Sequence, residues 1–511
     1  MTDGVIPIGW THARVGDLAE YLNGVAFKPT DWREAGIPII RIQNLTDPSK
    51  PLNRTTRQAN PRLLVRDGDL LFSWSATLDA FIWRGEDAWL NQHIFKVEPA
   101  GKIANRFLYY LLRYAVREIT RSEHMHGSTM QHINRGPFLS FPILLPPRAE
   151  QTRISELLDE LLSDLDAGVA ALERVRAKLK HYRAAVLKAA VEGALTAEWR
   201  RQHPATETAD ALLTRILAER RRRWEEVQLA KFEASGKAPP KDWKAKYVEP
   251  VTPNTSALPA LPRGWQWATV DQCYDVIQYG TSSKTTLADS GVPVLRMGNI
   301  RSEGALDLAD LKFLPVDHSE FPALLLEKGD LLFNRTNSAE LVGKTAWYGG
   351  SPSPCSFASY LIRLRMLSGV QPQIVSSAIN SAYGRKWINS VVTQMVGQAN
   401  VNGTKLAAFC FPLSPIEEQA AIVDAIEDQL SVIDHLERDL DTRLKSAQAL
   451  RQSILRHAFT GQLVPQNPND EPASELLSRI AAEREERSRL LRAAKQAKPT
   501  TKAPRRGATK E

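Results

Sequence analysis

Gly343-Lys344-Thr345 has the ending of a phosphate-binding loop, in which backbone amides and a lysine would cradle nucleotide phosphates. That loop also requires a glycine five positions before Gly343, where Ser338 stands, so no nucleotide site is expected. His124, His126 and His132 form a close set of imidazoles, but no carboxylate or cysteine follows at ligand spacing. No metal is expected there. Asp67 and Asp69 flank Gly68 in an Asp-Gly turn leading into a strand, which turn geometry explains without catalysis. Cys273, Cys355 and Cys410 are too few and too scattered for a disulfide framework or a zinc site.

Other clusters have the chemistry of base and phosphate recognition. Arg and Lys suit phosphates and guanines, Asn and Gln suit adenine edges, and Ser or Thr suit positioning contacts. In the amino-terminal half the candidates are Ser73, Trp74 and Ser75, with Gln131, His132, Asn134 and Arg135. In the carboxy-terminal half they are Asn334, Arg335, Thr336 and Asn337, with Gln398, Asn400, Asn402, Thr404 and Lys405. An ordinary solvated loop explains any one of them equally well; their clustering is the stronger signal.

These residues need a scaffold. The chain has 511 residues, 43% hydrophobic and 24% charged, an ordinary globular composition that calls for several cores. Its formal charge of +8 favours an anionic partner without requiring one. Arginines 220 to 223 form one basic run, and Lys495, Lys498, Lys502, Arg505 and Arg506 form a tail that reads as a solvated end as readily as a DNA clamp. No apolar stretch reaches the roughly 20 residues of a membrane span, and Met1 to Trp10 lacks a signal-peptide layout. The expectation is a cytoplasmic protein with no membrane partner.

The chain is written twice. Ile6-Pro7-Ile8-Gly9-Trp10 returns as Leu261-Pro262-Arg263-Gly264-Trp265, and GIPIIRIQNL from Gly36 returns as GVPVLRMGNI from Gly291. Gly68 to Phe72 returns as Gly329 to Phe333, and Glu150-Gln151 as Glu418-Gln419. Gly193-Ala194-Leu195 matches Gly461-Gln462-Leu463, and Ala211 to Ile216 matches Glu475 to Ile480. So long a repeat is a domain duplication, not a solenoid. Short β-rich runs alternating with helical stretches give a mixed α/β class for each copy.

After each copy the apolar positions alternate by four and three. The first series holds Ile154, Leu158, Leu161, Leu165, Leu172 and Leu179; the second holds Ile422, Ile426, Ile433, Leu436, Leu440 and Ile454. Either each helix packs on its own domain, or the two pair with each other through a heptad seam. At about 1.5 Å per residue, about 40 residues make a rod of roughly 60 Å, long enough to hold two domains apart. The resulting partition is 1–147 first domain, 148–196 first long helix, 197–260 helical basic connector, 261–414 second domain, 415–464 second long helix, and 465–511 helical segment with basic tail.

Two α/β domains, each opening on Pro-x-Gly-Trp and ending in Pro-x-x-Glu-Gln before a heptad helix, resemble the specificity subunits of type I restriction-modification systems. The stretches 329–348, 396–406, 127–139 and 224–250 are also similar to that family. The pairs Arg148-Ala149 and Ile416-Glu417 before Glu-Gln are its variable positions. The resemblance implies two target-recognition domains separated by long helices paired as an antiparallel coiled coil, in a pseudo-two-fold arrangement. It implies that each domain reads half of an asymmetric duplex DNA site. It further implies two methyltransferase subunits, and two motor-nuclease subunits in the restricting complex, as partners.

Neither a glycine-rich cofactor loop nor an Asn/Asp-Pro-Pro-aromatic motif occurs in the chain. No catalysis and no cofactor is therefore expected on it, and the resemblance implies that S-adenosylmethionine, ATP and magnesium belong to the partners. The rival expectation is a coiled-coil scaffold joining two protein-binding domains.

Overall fold

A computed structural model describes residues 6–121, 135–287, 290–301, 304–395 and 398–496. Gln131, His132 and Asn134, the histidines at 124 and 126, and the basic tail beyond 496 lie outside these residues. The chain groups into two compact units, Met1–Leu172 with Thr442–Glu511, and Glu173–Asp441.

In the first unit Ala19–Asn23, Ile94–Pro99, Leu70–Ser73 and Asp79–Ile82 form an antiparallel sheet in that order. A second sheet runs Asn53–Thr55, Ile37–Ile40, Ala88–Leu90, Leu64–Val65, with its middle two strands parallel. Ile39, Ile40, Trp89 and Leu90 are all buried, so these strands read as continuous apolar runs and not as alternation. Thr11–Arg14 pairs with Pro142–Leu145 and joins the two ends of the domain. The helix Asn105–Arg121 buries Phe107, Leu108, Leu111, Ala115 and Ile119, a stripe at helical spacing, in the core beside the first sheet.

The second unit repeats this plan. Its main sheet is Tyr274–Tyr279, Leu361–Met366, Leu331–Asn334, Thr345–Trp347, and its second is Lys312–Leu314, Val292–Leu295, Ser356–Phe357. Gln266–Thr269 pairs with Cys410–Leu413. A further small sheet joins Thr336–Asn337, Gln398–Asn400 and Thr393–Met395.

Each core is completed by segments distant in sequence. In the first unit Phe459 packs against the rings of Phe107 and Tyr114, and the helix Ala473–Gln496 inserts Leu476 and Ile480. In the second, the helix Ala209–Ala234 inserts Leu212, Leu213 and Ile216. Each such buried side chain stabilises by about 1.5–3 kcal/mol. The two added helices are anchored alike: Ala473 N–H donates to the Gly9 carbonyl and Ala209 N–H to the Gly264 carbonyl, each at 2.9 Å.

The repeated glycines after the long helices have two duties. Gly193 and Gly461 have φ of +70° and +75°, and a Cβ would fall 2.5 Å from Pro262 Cγ and 2.4 Å from Pro7 Cγ. A left-handed helix end and a close approach both select glycine.

The long helices are Arg148–Val191 and Ile416–Phe459, 44 residues each, and they pair antiparallel. Within the second unit Arg176 bonds Asp441, while Arg183 bonds Asp434 and Glu437, so seven residues forward on one helix match seven backward on the other. Within the first unit Arg451 bonds Asp166. Ile154, Leu158, Leu179, Ile422, Ile426, Ile433 and Leu440 are buried, and Leu161, Leu165, Leu172 and Ile454 are partly so. Leu436 is the exception at 42% exposed. Two helices alone bury a narrow stripe, and Leu436 lies at its margin, as does Tyr182, which stands exposed and donates its hydroxyl hydrogen to Gln429.

Candidate nucleic-acid interface

The residues with enzyme-like spacing are occupied by the fold. The Lys344 side chain is buried and its ammonium donates to the Ile300 carbonyl; Thr345 Oγ1 donates to the Gly343 carbonyl at 3.1 Å. Asp67 accepts from Gly85 N–H at 3.1 Å and pairs with Arg84, while Asp69 accepts from Arg66 N–H at 2.8 Å and pairs with Lys96. Asp330, the repeat of Asp69, accepts from Glu327 N–H and pairs with Arg365. These aspartates close turns. Cys355 is enclosed, and burial pushes its thiol up to about 12; burial also raises Cys273. Among the described residues no three His, Cys, Asp or Glu side chains converge as a metal cage, and no helix is long and apolar enough to cross a membrane.

In the second unit the two polar clusters meet. Thr336 and Asn337 pair as a strand with Asn400 and Ala399, Asn400 Nδ2 donates to Thr336 Oγ1 at 2.8 Å, and Val401 N–H donates to the Arg335 carbonyl at 2.9 Å. Gln398, Asn402 and Thr404 are exposed. Asn402 caps the following short helix by accepting from Lys405 N–H, and the Lys405 ammonium donates to the Val391 carbonyl and Thr393 Oγ1. Asn334 and Thr336 are buried, and Asn337 Oδ1 accepts from Ser338 N–H. The open face of this cluster therefore belongs to Gln398, Asn402 and Thr404, with Arg335 partly exposed beside them.

Arg335 is held in place. Its Cζ lies 4.9 Å from the centroid of the Tyr279 ring, and Nη1 donates to the Ser359 carbonyl at 3.2 Å. Tyr279 is fixed in turn, since its hydroxyl accepts from Gly403 N–H at 2.9 Å. Tyr279 and Tyr360 are about half exposed, at 45% and 46%.

In the first unit Ser73 and Ser75 are buried, and Trp74 is partly exposed. The Trp74 indole N–H donates to Asn23 Oδ1 at 3.3 Å, and its ring packs on His93 and Phe95. Arg135 lies over the opposite partner of that stack: its guanidinium is 5.6 Å from the Phe95 centroid and donates to the Tyr21 carbonyl.

Asn23, His93, Tyr279 and Tyr360 were not among the sequence candidates. The signal for two of them was present, because Asn23-Gly24 and Tyr279-Gly280 occupy the same place in the repeat. Both glycines are required by close backbone approach: a Cβ on Gly24 would lie 2.0 Å from the Asn91 carbonyl oxygen, and one on Gly280 2.3 Å from that of Phe357.

Comparison with known proteins agrees with this architecture. Residues 7–174 match the type I restriction modification DNA specificity domain. The type I restriction enzyme EcoKI specificity subunit of Escherichia coli K12 is 26% identical over 514 residues, covering 95% of this chain and 97% of that one. The StySPI specificity subunit of Salmonella potsdam is 24% identical, again covering 95% of this chain and 97% of the relative. A solved chain from a study of complex assembly and conformational transition of the type I R-M system has the same fold, with a TM-score of 0.56 at 17% identity over 90% of this chain and 100% of that one. Residues 7–174 thus match a type I restriction modification DNA specificity domain, and nearly the whole chain, with its duplicated domains and paired helices, is similar to type I restriction enzyme specificity subunits.

Proposed function

We propose that this chain is the non-catalytic sequence-reading subunit of a type I restriction-modification complex, with each domain reading one half of a bipartite, asymmetric duplex DNA site. The paired helices set the unread spacer and dock two methyltransferase subunits. Two motor-nuclease subunits join them in the restricting complex. S-adenosylmethionine, ATP and magnesium are carried by those partners, and the assembly works in the cytoplasm.

One observation carries this reading. The two domains share backbone and hydrogen-bond plan, yet present different side chains at matched, partly exposed positions, Trp74 beside Asn23 and Arg335 beside Tyr279. A duplicated frame with diverged contact groups is what reading two unlike half-sites needs, because bases are distinguished by donor and acceptor pattern.

The test is base-resolution mapping of methyladenine in cells with and without the gene. Loss of one two-part motif is the expected result. An unchanged methylation pattern, with an assembled complex that binds no DNA, would favour a scaffold joining two protein-binding domains instead.

A further inference from the structure

Resting on the specificity-subunit reading above, we propose that positions 74 and 335 are the same base-reading position in the two domains, and that Arg335, seated over the Tyr279 ring, reads a guanine in the second half-site.

The equivalence is one of backbone. Ser73 lies opposite Ile94 in the first main sheet, and Asn334 lies opposite Leu361 in the second. The next residue donates its N–H to the matching carbonyl in each: Trp74 to His93 at 3.2 Å, Arg335 to Tyr360 at 3.0 Å. The neighbouring strand ends alike, Asn23 opposite Phe95 and Tyr279 opposite Ile362. The glycine that follows donates to Ile94 in one domain and to Leu361 in the other. His93 holds its place with φ of +72°, an uncommon backbone for a residue with a side chain.

Only the side chains differ. Arg335 has its Cζ 4.9 Å from the Tyr279 ring centroid and one Nη1 hydrogen given to the Ser359 carbonyl, while its enclosed Nε finds no partner among the described residues. The terminal edge, with Nη2 and the second Nη1 hydrogen, is left to donate. Two donors on a guanidinium held by the ring and by the Ser359 carbonyl match guanine O6 and N7. Trp74 offers a ring face, with its single N–H already given to Asn23, so the first domain cannot read guanine in this way.

The experiment uses the chain assembled with its methyltransferase subunits and duplexes carrying the mapped motif. Each guanine of the second half-site is replaced in turn by 7-deazaguanine, which removes the N7 acceptor. One position is expected to lose about 5-fold or more in affinity, the lower end of the roughly 1–3 kcal/mol of a bidentate pair. Arg335→Gln should abolish that sensitivity and relax the same position in the methylation motif, leaving the first half-site unchanged. Tyr279→Leu should weaken discrimination at that position alone. If no deazaguanine position matters, or the Arg335→Gln motif is unaltered, the assignment is overturned. A wild-type complex with no sequence preference would overturn the specificity-subunit reading itself.

Discussion

Arg200 Nε donates to Glu418 Oε1 at 2.9 Å, tying the segment after the first long helix to the first turn of the second. The same carboxylate, 2% exposed, also accepts from Thr196 Oγ1 at 2.7 Å and from the Trp265 indole at 2.8 Å. Removing one partner of an enclosed ion pair strands the other, which costs about 3–5 kcal/mol. Arg200→Ala is therefore expected to lower the unfolding temperature of the second unit by several degrees. Arg200→Lys should recover only part of this, because one ammonium cannot reproduce the fork that also reaches the Gly193 carbonyl. Calorimetry of the two variants checks this, and equal melting of Arg200→Ala and wild type would refute it.

Glu150, the repeat of Glu418, sits in a different field. Its carboxylate accepts from Gln466 Nε2 at 3.3 Å, and burial holds its pKa above the ordinary carboxylate value. A carboxyl that binds its proton more tightly folded than unfolded makes stability fall as pH rises from the unfolded to the folded pKa. Glu150→Gln removes that loss. The variant should match wild type at low pH and exceed it in stability at neutral pH, as read by thermal melting across pH 3.5 to 8. A variant less stable than wild type at neutral pH would contradict the burial argument.

The paired helices give a contrast between two leucine-class positions three residues apart. Ile433 is wholly buried and Leu436 is 42% exposed. Ile433→Ala should cost about 2–5 kcal/mol through lost burial and a cavity, whereas Leu436→Ala should stay within about 0.5 kcal/mol. Urea denaturation of the two variants distinguishes them, and equal losses would mean that Leu436 is packed as fully as Ile433.

Much of this architecture was legible in the sequence, and the reasons are physical. The repeat exposed the duplication because each copy must rebuild the same turns and buried strands, as with Gly68 to Phe72 and Gly329 to Phe333. The heptads exposed the helices because burial at Ile154, Leu158 and Ile433 needs regular apolar spacing. Which unit each added helix completes was not legible: nothing local to Leu476 and Ile480 says that they pack in the first unit. The clusters of polar residues were found by composition, but their exposure was not. Asn334 and Thr336 look like contact residues and are buried, whereas Asn23 and Tyr279 look like ordinary strand ends and flank the open face.

DNA binding by the assembled complex should weaken steeply with salt. Duplex phosphates hold condensed counterions, and each phosphate neutralised by Lys or Arg releases them, giving a slope of about −0.9 in log K against log salt. The chain's net charge of +8 supplies cations for this. Arg335 is assigned to a base and not to a phosphate, so Arg335→Gln should lower affinity for the cognate site while leaving that slope nearly unchanged. Binding to random duplex should barely respond to the substitution. Fluorescence anisotropy from about 50 to 200 mM salt, with cognate and random duplexes, measures all of these quantities. A loss of one unit of slope with equal weakening on both duplexes would place Arg335 on the backbone and return base discrimination to Gln398, Asn402 and Thr404, the residues on the open face.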